Sequence, residues 1–243
     1  GTFDDRVDAD VDEIDRLGSS DHVMKASRRD IGLALSTRRT AATTVATTMI
    51  GAAWAGISLF ATGGTGGVHR GYTSTMDVSA DLPELARTPV AVVSAGVKSI
   101  LDIGRTLEYL ETAGVPVVTW ASNEFPAFYS RTSGIPAPLR LDSPEAIANM
   151  LVAHWNVPDT GGALIANPIP ESDAIEYDRI ESLIEQAVTE ADERGIGGRE
   201  LTPFLLARIV ELSGGASLEA NIALVKNNAR LASEIAIALS RLR

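Results

Sequence analysis

Four short apolar runs, rich in β-branched residues and each followed by turn residues and then a helical pattern, constrain the fold of this chain more than any other feature. They occupy residues 57–62, 89–93, 116–120 and 163–167. Within a run apolar residues follow one another without polar alternation. Both faces of each strand therefore need cover, which is the pattern of parallel strands sandwiched between helices. Helical spacing predicts helices over about 35–56, 98–112, 173–194, 202–212 and 217–242, and Ser143 followed by Pro144 predicts another helix start. The expected architecture is α/β, one domain over residues 1–243 with a mostly parallel sheet covered on both faces. Ligands in such sheets sit beyond the carboxyl ends of the strands. The glycine-rich stretch 63–71, Lys98 and Asn167 all fall at such ends, so one site is expected to gather them.

Composition excludes several classes. There is no cysteine, hence no disulfide, thiolate metal site or cysteine nucleophile. A net charge of -11 without a basic stripe argues against a nucleic-acid polymer as partner. No apolar run approaches the roughly 20 residues of a membrane span, so no membrane role and a cytoplasmic location are expected. His22 and His154 suggest nothing alone, zinc is not expected from three scattered histidines, and no G-x-S-x-G elbow is present. The chain opens Gly1-Thr2-Phe3 and is rich in Asp to Asp21, which reads as the middle of a longer polypeptide or as a solvated acidic helix.

Of the 21 basic residues only Lys25, Lys98 and Lys226 are lysines. An amine can lose its proton and attack a carbonyl, whereas a guanidinium cannot. Lys98 follows a buried strand at a predicted helix start, where apolar surroundings and the helix N-terminus both disfavour the ammonium. It is the candidate Schiff-base nucleophile. Lys25 lies in a basic patch with Arg28 and Arg29, and Lys226 on a predicted solvated helix face.

Two further stretches each leave two readings. Gly63 to Gly71 matches neither G-x-G-x-x-G nor the P-loop; it either cradles a phosphate with its amides, helped by His69 and Arg70, or is glycine-rich to let the backbone bend. Asp77-Val78-Ser79-Ala80-Asp81 offers hard oxygen ligands for Mg²⁺ or Mn²⁺, or else Ser79 N-caps the next helix and Asp81 complements its dipole.

With these segments in view, the chain resembles the pseudouridine-5'-phosphate glycosidases. The likeness is carried by Ser27-Arg28-Arg29-Asp30, Thr62-Gly63-Gly64 through Gly71, Thr75 to Leu82, Ser94-Ala95-Gly96-Val97-Lys98, Phe125 to Arg131, Ala166-Asn167-Pro168 and Ser217 to Asn228. The resemblance implies an α/β/α sandwich, a homotrimer, and reversible Mn²⁺-dependent cleavage of pseudouridine 5'-phosphate to uracil and ribose 5-phosphate. By it Lys98 is the imine-forming nucleophile, Asp77 the metal ligand, and Asp81 a proton-transfer group through metal-bound water. Substrate-binding positions are Lys25, Val45, Ser79, Ala80, Asp81 and Asn221, with Thr62 and His69 also assigned to phosphate and sugar. The family carries an additional N-terminal segment, upstream of Gly1, with a proton-donating glutamate for which Glu13 is no substitute on spacing. These residues are therefore expected to bind substrate better than they turn it over. A catalytically silent phosphosugar binder and a Schiff-base aldolase or lyase on another sugar phosphate are the alternatives.

Overall fold

The computed structural model describes residues 15, 23–197 and 201–242, so His22 and Glu13 lie outside the described residues. In chain order the strands are β1 (Met24–Ala26), β2 (Ala41–Thr43), β3 (Leu59–Ala61), β4 (Val68–His69), β5 (Ala91–Ser94), β6 (Leu101–Asp102), β7 (Val117–Trp120), β8 (Arg140–Leu141) and β9 (Ala163–Ala166). The helices are α1 (Ile31–Thr37), α2 (Val45–Trp54), α3 (Tyr72–Thr75), α4 (Asp81–Leu85), α5 (Ile103–Thr112), α6 (Pro144–Trp155), α7 (Tyr177–Glu193), α8 (Leu201–Leu212) and α9 (Ala216–Ser240).

A five-stranded sheet, parallel at every pairing and ordered β3-β5-β9-β7-β8, forms the middle layer. Four of its strands fall on the four apolar runs, three of them trimmed at their ends and the second shifted to Ala91–Ser94. Their continuous hydrophobicity has the expected cause. Ala91 and Val93 of β5 with Ala163 and Ile165 of β9 pack against Ile147 and Leu151 of α6 and Leu231 and Ile235 of α9. The alternate residues Val92 and Leu164 pack the other way, with Met49 of α2, Leu82 and Leu85 of α4 and Leu110 of α5. Each fully buried aliphatic side chain of this kind contributes roughly 1.5–3 kcal/mol. A third apolar cluster, from α7, α8 and the first half of α9, closes over Val97, Ile100, Leu101 and Phe128, and so seats the loop that carries Lys98.

Two predicted helices are corrected. The one expected over 35–56 is broken: Arg38 turns left-handed at φ 52°, β2 follows, and α2 begins after Thr44, whose hydroxyl accepts the Thr47 N–H at 3.4 Å. Strand β2 pairs in parallel with β1, placing Lys25 opposite Ala42. The helix expected from Lys98 starts instead at Ile103, because the Asp102 carboxylate accepts the Arg105 N–H at 2.9 Å, an N-cap worth about 1 kcal/mol. Residues 98–101 form a turn, closed by the Leu101 N–H donating to the Lys98 carbonyl at 3.0 Å. The Ser143 cap is as expected, its hydroxyl accepting the Ala146 N–H at 3.1 Å with Pro144 first in the helix. No described helix is long and apolar enough to cross a membrane.

Candidate active site

A cleft of about 1020 Å³ opens at the carboxyl ends of β3 and β5. Lys25, Val45, Thr62, His69, Asp77, Ser79, Ala80, Asp81, Lys98 and Asn221, every position assigned from the resemblance, line it. Distant segments supply them: β1 brings Lys25, the first turn of α2 brings Val45, the loop after β5 brings Lys98, and α9 brings Asn221.

Lys98 is fixed through its backbone, whose N–H donates to the Thr65 carbonyl at 3.0 Å. Burial lowers its pKa below the ordinary lysine value; the Asp81 carboxylate opposes this and the Lys25 ammonium adds to it. The helix N-terminus expected to help is absent, since α5 starts past the turn.

Asp81 is 4% exposed and joins three segments. Its Oδ1 accepts the Ala46 N–H at 2.7 Å, at the start of α2, and its Oδ2 accepts the Gly66 N–H at 2.8 Å. Its own N–H donates to the Ser79 hydroxyl at 3.2 Å, so Ser79 braces this turn while Ala80 occupies the N-cap position of α4. Asp77, with a side chain 44% exposed, places its Oδ2 3.7 Å from His69 Nδ1. Among the described residues no three His, Cys, Asp or Glu gather into a cage. One carboxylate on an open wall does fit a hard cation that keeps most of its waters.

Four amides of the glycine-rich loop are already engaged within the protein. The Thr65 N–H donates to the Gly96 carbonyl at 3.1 Å, Gly66 to Asp81, Val68 to the Thr106 hydroxyl at 2.9 Å, and His69 to the Asp77 carbonyl at 3.0 Å, which leaves these amides engaged. A Cβ at residue 66 would lie 2.0 Å from the Ser79 hydroxyl and one at residue 64 would lie 2.5 Å from the Phe128 ring. Glycine is there for close approach. Arg70 does not join the cleft either: its guanidinium forks onto Glu181 of α7 and the Ser99 carbonyl.

Asn167, 2% exposed, stands behind the cleft rather than in it. Its amide donates to Asn228 Oδ1 at 3.1 Å, and Asn228 Nδ2 donates to the Thr62 carbonyl at 2.8 Å, tethering α9 to the end of β3. Asn228 was missed, although a polar residue at the apolar spacing of Leu224, Leu231 and Ile235 is a readable signal. Phe128, which lines the cleft with φ 63°, lies in a stretch that carries the resemblance but was not assigned to the site. On the rim Arg28 grips the buried Glu84 through two hydrogen bonds of 2.5 and 2.8 Å, and Lys25 and Arg29 remain exposed. Lys226 is exposed, as expected. A half-buried amine of lowered basicity, a buried carboxylate beside it and a cationic rim suit carbonyl chemistry on an anionic substrate.

Comparison with known proteins agrees with this arrangement. The family model described as Indigoidine synthase A like protein matches residues 5–238. The pseudouridine-5'-phosphate glycosidase of Solibacter usitatus is 56% identical over 224 residues, covering 92% of this chain and 75% of that protein. The one from Geobacillus kaustophilus is 56% identical over 228 residues, covering 94% and 76%. Among solved structures, the prealnumycin C-glycosynthase AlnA in complex with ribulose 5-phosphate superposes with a TM-score of 0.90 at 40% identity, covering 96% of this chain and 77% of AlnA. An indigoidine synthase A-like protein from Thermotoga maritima gives 0.85 at 37% identity, covering 96% and 75%. With the sheet, the cleft and these likenesses in agreement, the chain belongs to the pseudouridine-5'-phosphate glycosidases, an enzyme family of C-glycosidases.

Proposed function

We propose that this enzyme reversibly cleaves the C–C glycosidic bond of pseudouridine 5'-phosphate, giving uracil and ribose 5-phosphate, with Lys98 as the nucleophile. The observation that carries the reading is the Lys98 amine itself: it lines the cleft, and burial with the nearby Lys25 charge raises its share of neutral amine. The AlnA complex with ribulose 5-phosphate lends support, because that ligand is a pentose phosphate.

The leaving atom is carbon, so protonating a heteroatom does not release it. In the proposed course the Lys98 nitrogen bonds to C1′ of the ribose as the C1′–O4′ bond breaks and O4′ takes a proton. The nitrogen lone pair then forms C1′=N while the C1′–C5 pair leaves with C5 of uracil, which is protonated. Water hydrolyses the imine and frees ribose 5-phosphate. Asp81 supplies the counter-charge beside Lys98 and, through lone pairs not used by its two amide partners, a place for a proton in transit. Lys25, Val45, Thr62, His69, Ser79, Ala80 and Asn221 hold phosphate and sugar. The Mn²⁺ in this proposal is held by Asp77 with His69 alongside; when bound it supplies charge stabilisation and polarised water. A homotrimer and a cytoplasmic location complete the reading, the former checked by sedimentation.

The test is borohydride reduction of the enzyme with ribose 5-phosphate. Mass spectrometry is expected to find one reduced pentose phosphate adduct on Lys98. Tight binding of ribose 5-phosphate without any adduct would replace this reading by a silent phosphosugar binder, and an adduct with product formation indifferent to Mn²⁺ would favour an aldolase or lyase.

A further inference from the structure

Arg70 sits in the glycine-rich loop but takes no part in the cleft, and nothing in the mechanism above uses it. Its surroundings are specific. Strands β4 and β6 pair antiparallel, His69 opposite Leu101, which sets Arg70 against the turn made by residues 98–101. From there Nη2 donates to the Ser99 carbonyl at 2.9 Å and to Glu181 Oε2 at 2.9 Å, while Nη1 donates to Glu181 Oε1. The side chains of Arg70 and Glu181 are 31% and 24% exposed. Ser99 is 6% exposed and its own hydroxyl has no hydrogen-bond partner among the described residues, so its carbonyl is its anchor on this side.

We propose that Arg70, oriented by Glu181, is a positioning residue for Lys98. The turn bearing Lys98 is held on one flank by the Thr65 carbonyl and at its next residue by the Arg70 fork. A lysine side chain has four rotatable bonds, and where its amine lies is set by the direction in which the turn launches it. Reacting atoms misplaced by an ångström cost a reaction of this kind roughly 100-fold. A planar guanidinium bonds both oxygens of a carboxylate in a fixed fork and still reaches a third acceptor, whereas a lysine ammonium at residue 70 donates from a single atom without that fixed geometry. Glu181 neutralises the arginine, which fits a brace better than an anion-binding residue. Helix α7, outside the cleft, is thereby connected to the nucleophile.

The proposal rests on Lys98 being the imine-forming amine, and the experiment separates the two. The maximal rate of borohydride trapping and the ribose 5-phosphate concentration for half-maximal trapping are measured for the parent enzyme, Arg70→Lys and Glu181→Gln. Each variant is normalised to its folded fraction by circular dichroism. Both are expected to lose about 10- to 100-fold in maximal trapping rate, with the half-saturating concentration within about threefold of the parent. Parent-like maximal rates in folded Arg70→Lys and Glu181→Gln overturn the proposal, as does a rise in half-saturation alone, which would make the pair a ligand-binding element. Should Arg70→Lys not fold, Glu181→Gln decides, since it keeps Arg70 and alters one atom of a partly exposed side chain. Absence of any adduct in the parent defeats the proposed function instead.

Discussion

The loop after β3 carries four glycines, Gly63, Gly64, Gly66 and Gly67, and the loop after β5 carries one glycine, Gly96, together with Lys98. In sequence the first leaves open a ligand cradle or a backbone bend, and the second carries the candidate nucleophile at a strand end. In the structure Gly64, Gly66 and Gly67 of the first are pressed under Phe128, Ser79, Asp81 and Thr106 while Gly63, Gly64 and Gly66 also line the cleft, and the second presents the Lys98 amine. Glycine content here reports how closely backbones and side chains approach. In the proposed mechanism chemistry follows the one lysine that is half-buried.

Breaking each loop at its own critical atom is the sharpest way to test that contrast. Lys98→Arg keeps the charge and removes the nucleophile, so adduct formation is expected to fall by roughly 10³-fold or more with the circular dichroism spectrum unchanged. Residual trapping at another residue would move the chemistry elsewhere. Gly66→Ala strikes the other loop: the new methyl collides with Ser79 and Asp81, and the urea midpoint is expected to drop by the equivalent of about 1–3 kcal/mol, with trapping slowed. Gly104→Ala in α5, where the nearest atom is 3.7 Å from the new Cβ, should instead be neutral or gain about 0.5–1 kcal/mol. Equal losses at both glycines would remove the distinction between them.

Smaller effects sharpen the electrostatic side. Lys25 lowers the pKa of Lys98, so Lys25→Gln is expected to move the acid limb of the trapping profile to higher pH and to raise the half-saturating ribose 5-phosphate concentration. An unmoved limb would show that burial alone sets the amine. The smallest expected change is in stability. Between the lowered folded pKa of Lys98 and its unfolded value the unfolded chain binds more protons, so stability rises with pH through that window and the full cost stands below it. Lys98→Met should therefore raise Tm at neutral pH, by roughly 2–4 °C for each kcal/mol relieved, with the gain shrinking in alkaline buffer. A lower Tm would show that the amine contributes to stability.

The core of the sandwich was legible because β3, β5, β7 and β9 are continuous apolar runs, and Ser143-Pro144 is a cap that acts locally. Strands β1, β2 and β8 were not, since two or three residues with exposed members such as Lys25 and Arg140 become strands only through a partner found far along the chain. The same limit hid the start of α5: Lys98 and Asp102 both sit before helical spacing, and only the Asp102 carboxylate reaching the Arg105 N–H decides between them. At the site, residue types pointed to Lys98, whereas the engagement of Gly66 by Asp81 and the turning of Arg70 towards Glu181 depend on tertiary approach and left no trace in spacing.

The tether from Asn228 to the Thr62 carbonyl has a temporal consequence. The cleft is drawn from Lys25 at one end of the chain to Asn221 at the other, and β5 waits for β9 before its second neighbour exists. A chain made from its N-terminus therefore exposes Lys98 long before α9 arrives to seat the strand end beside it. The lowered basicity of Lys98 comes from burial and the nearby Lys25 charge, so it belongs to the assembled cleft rather than to the isolated segment.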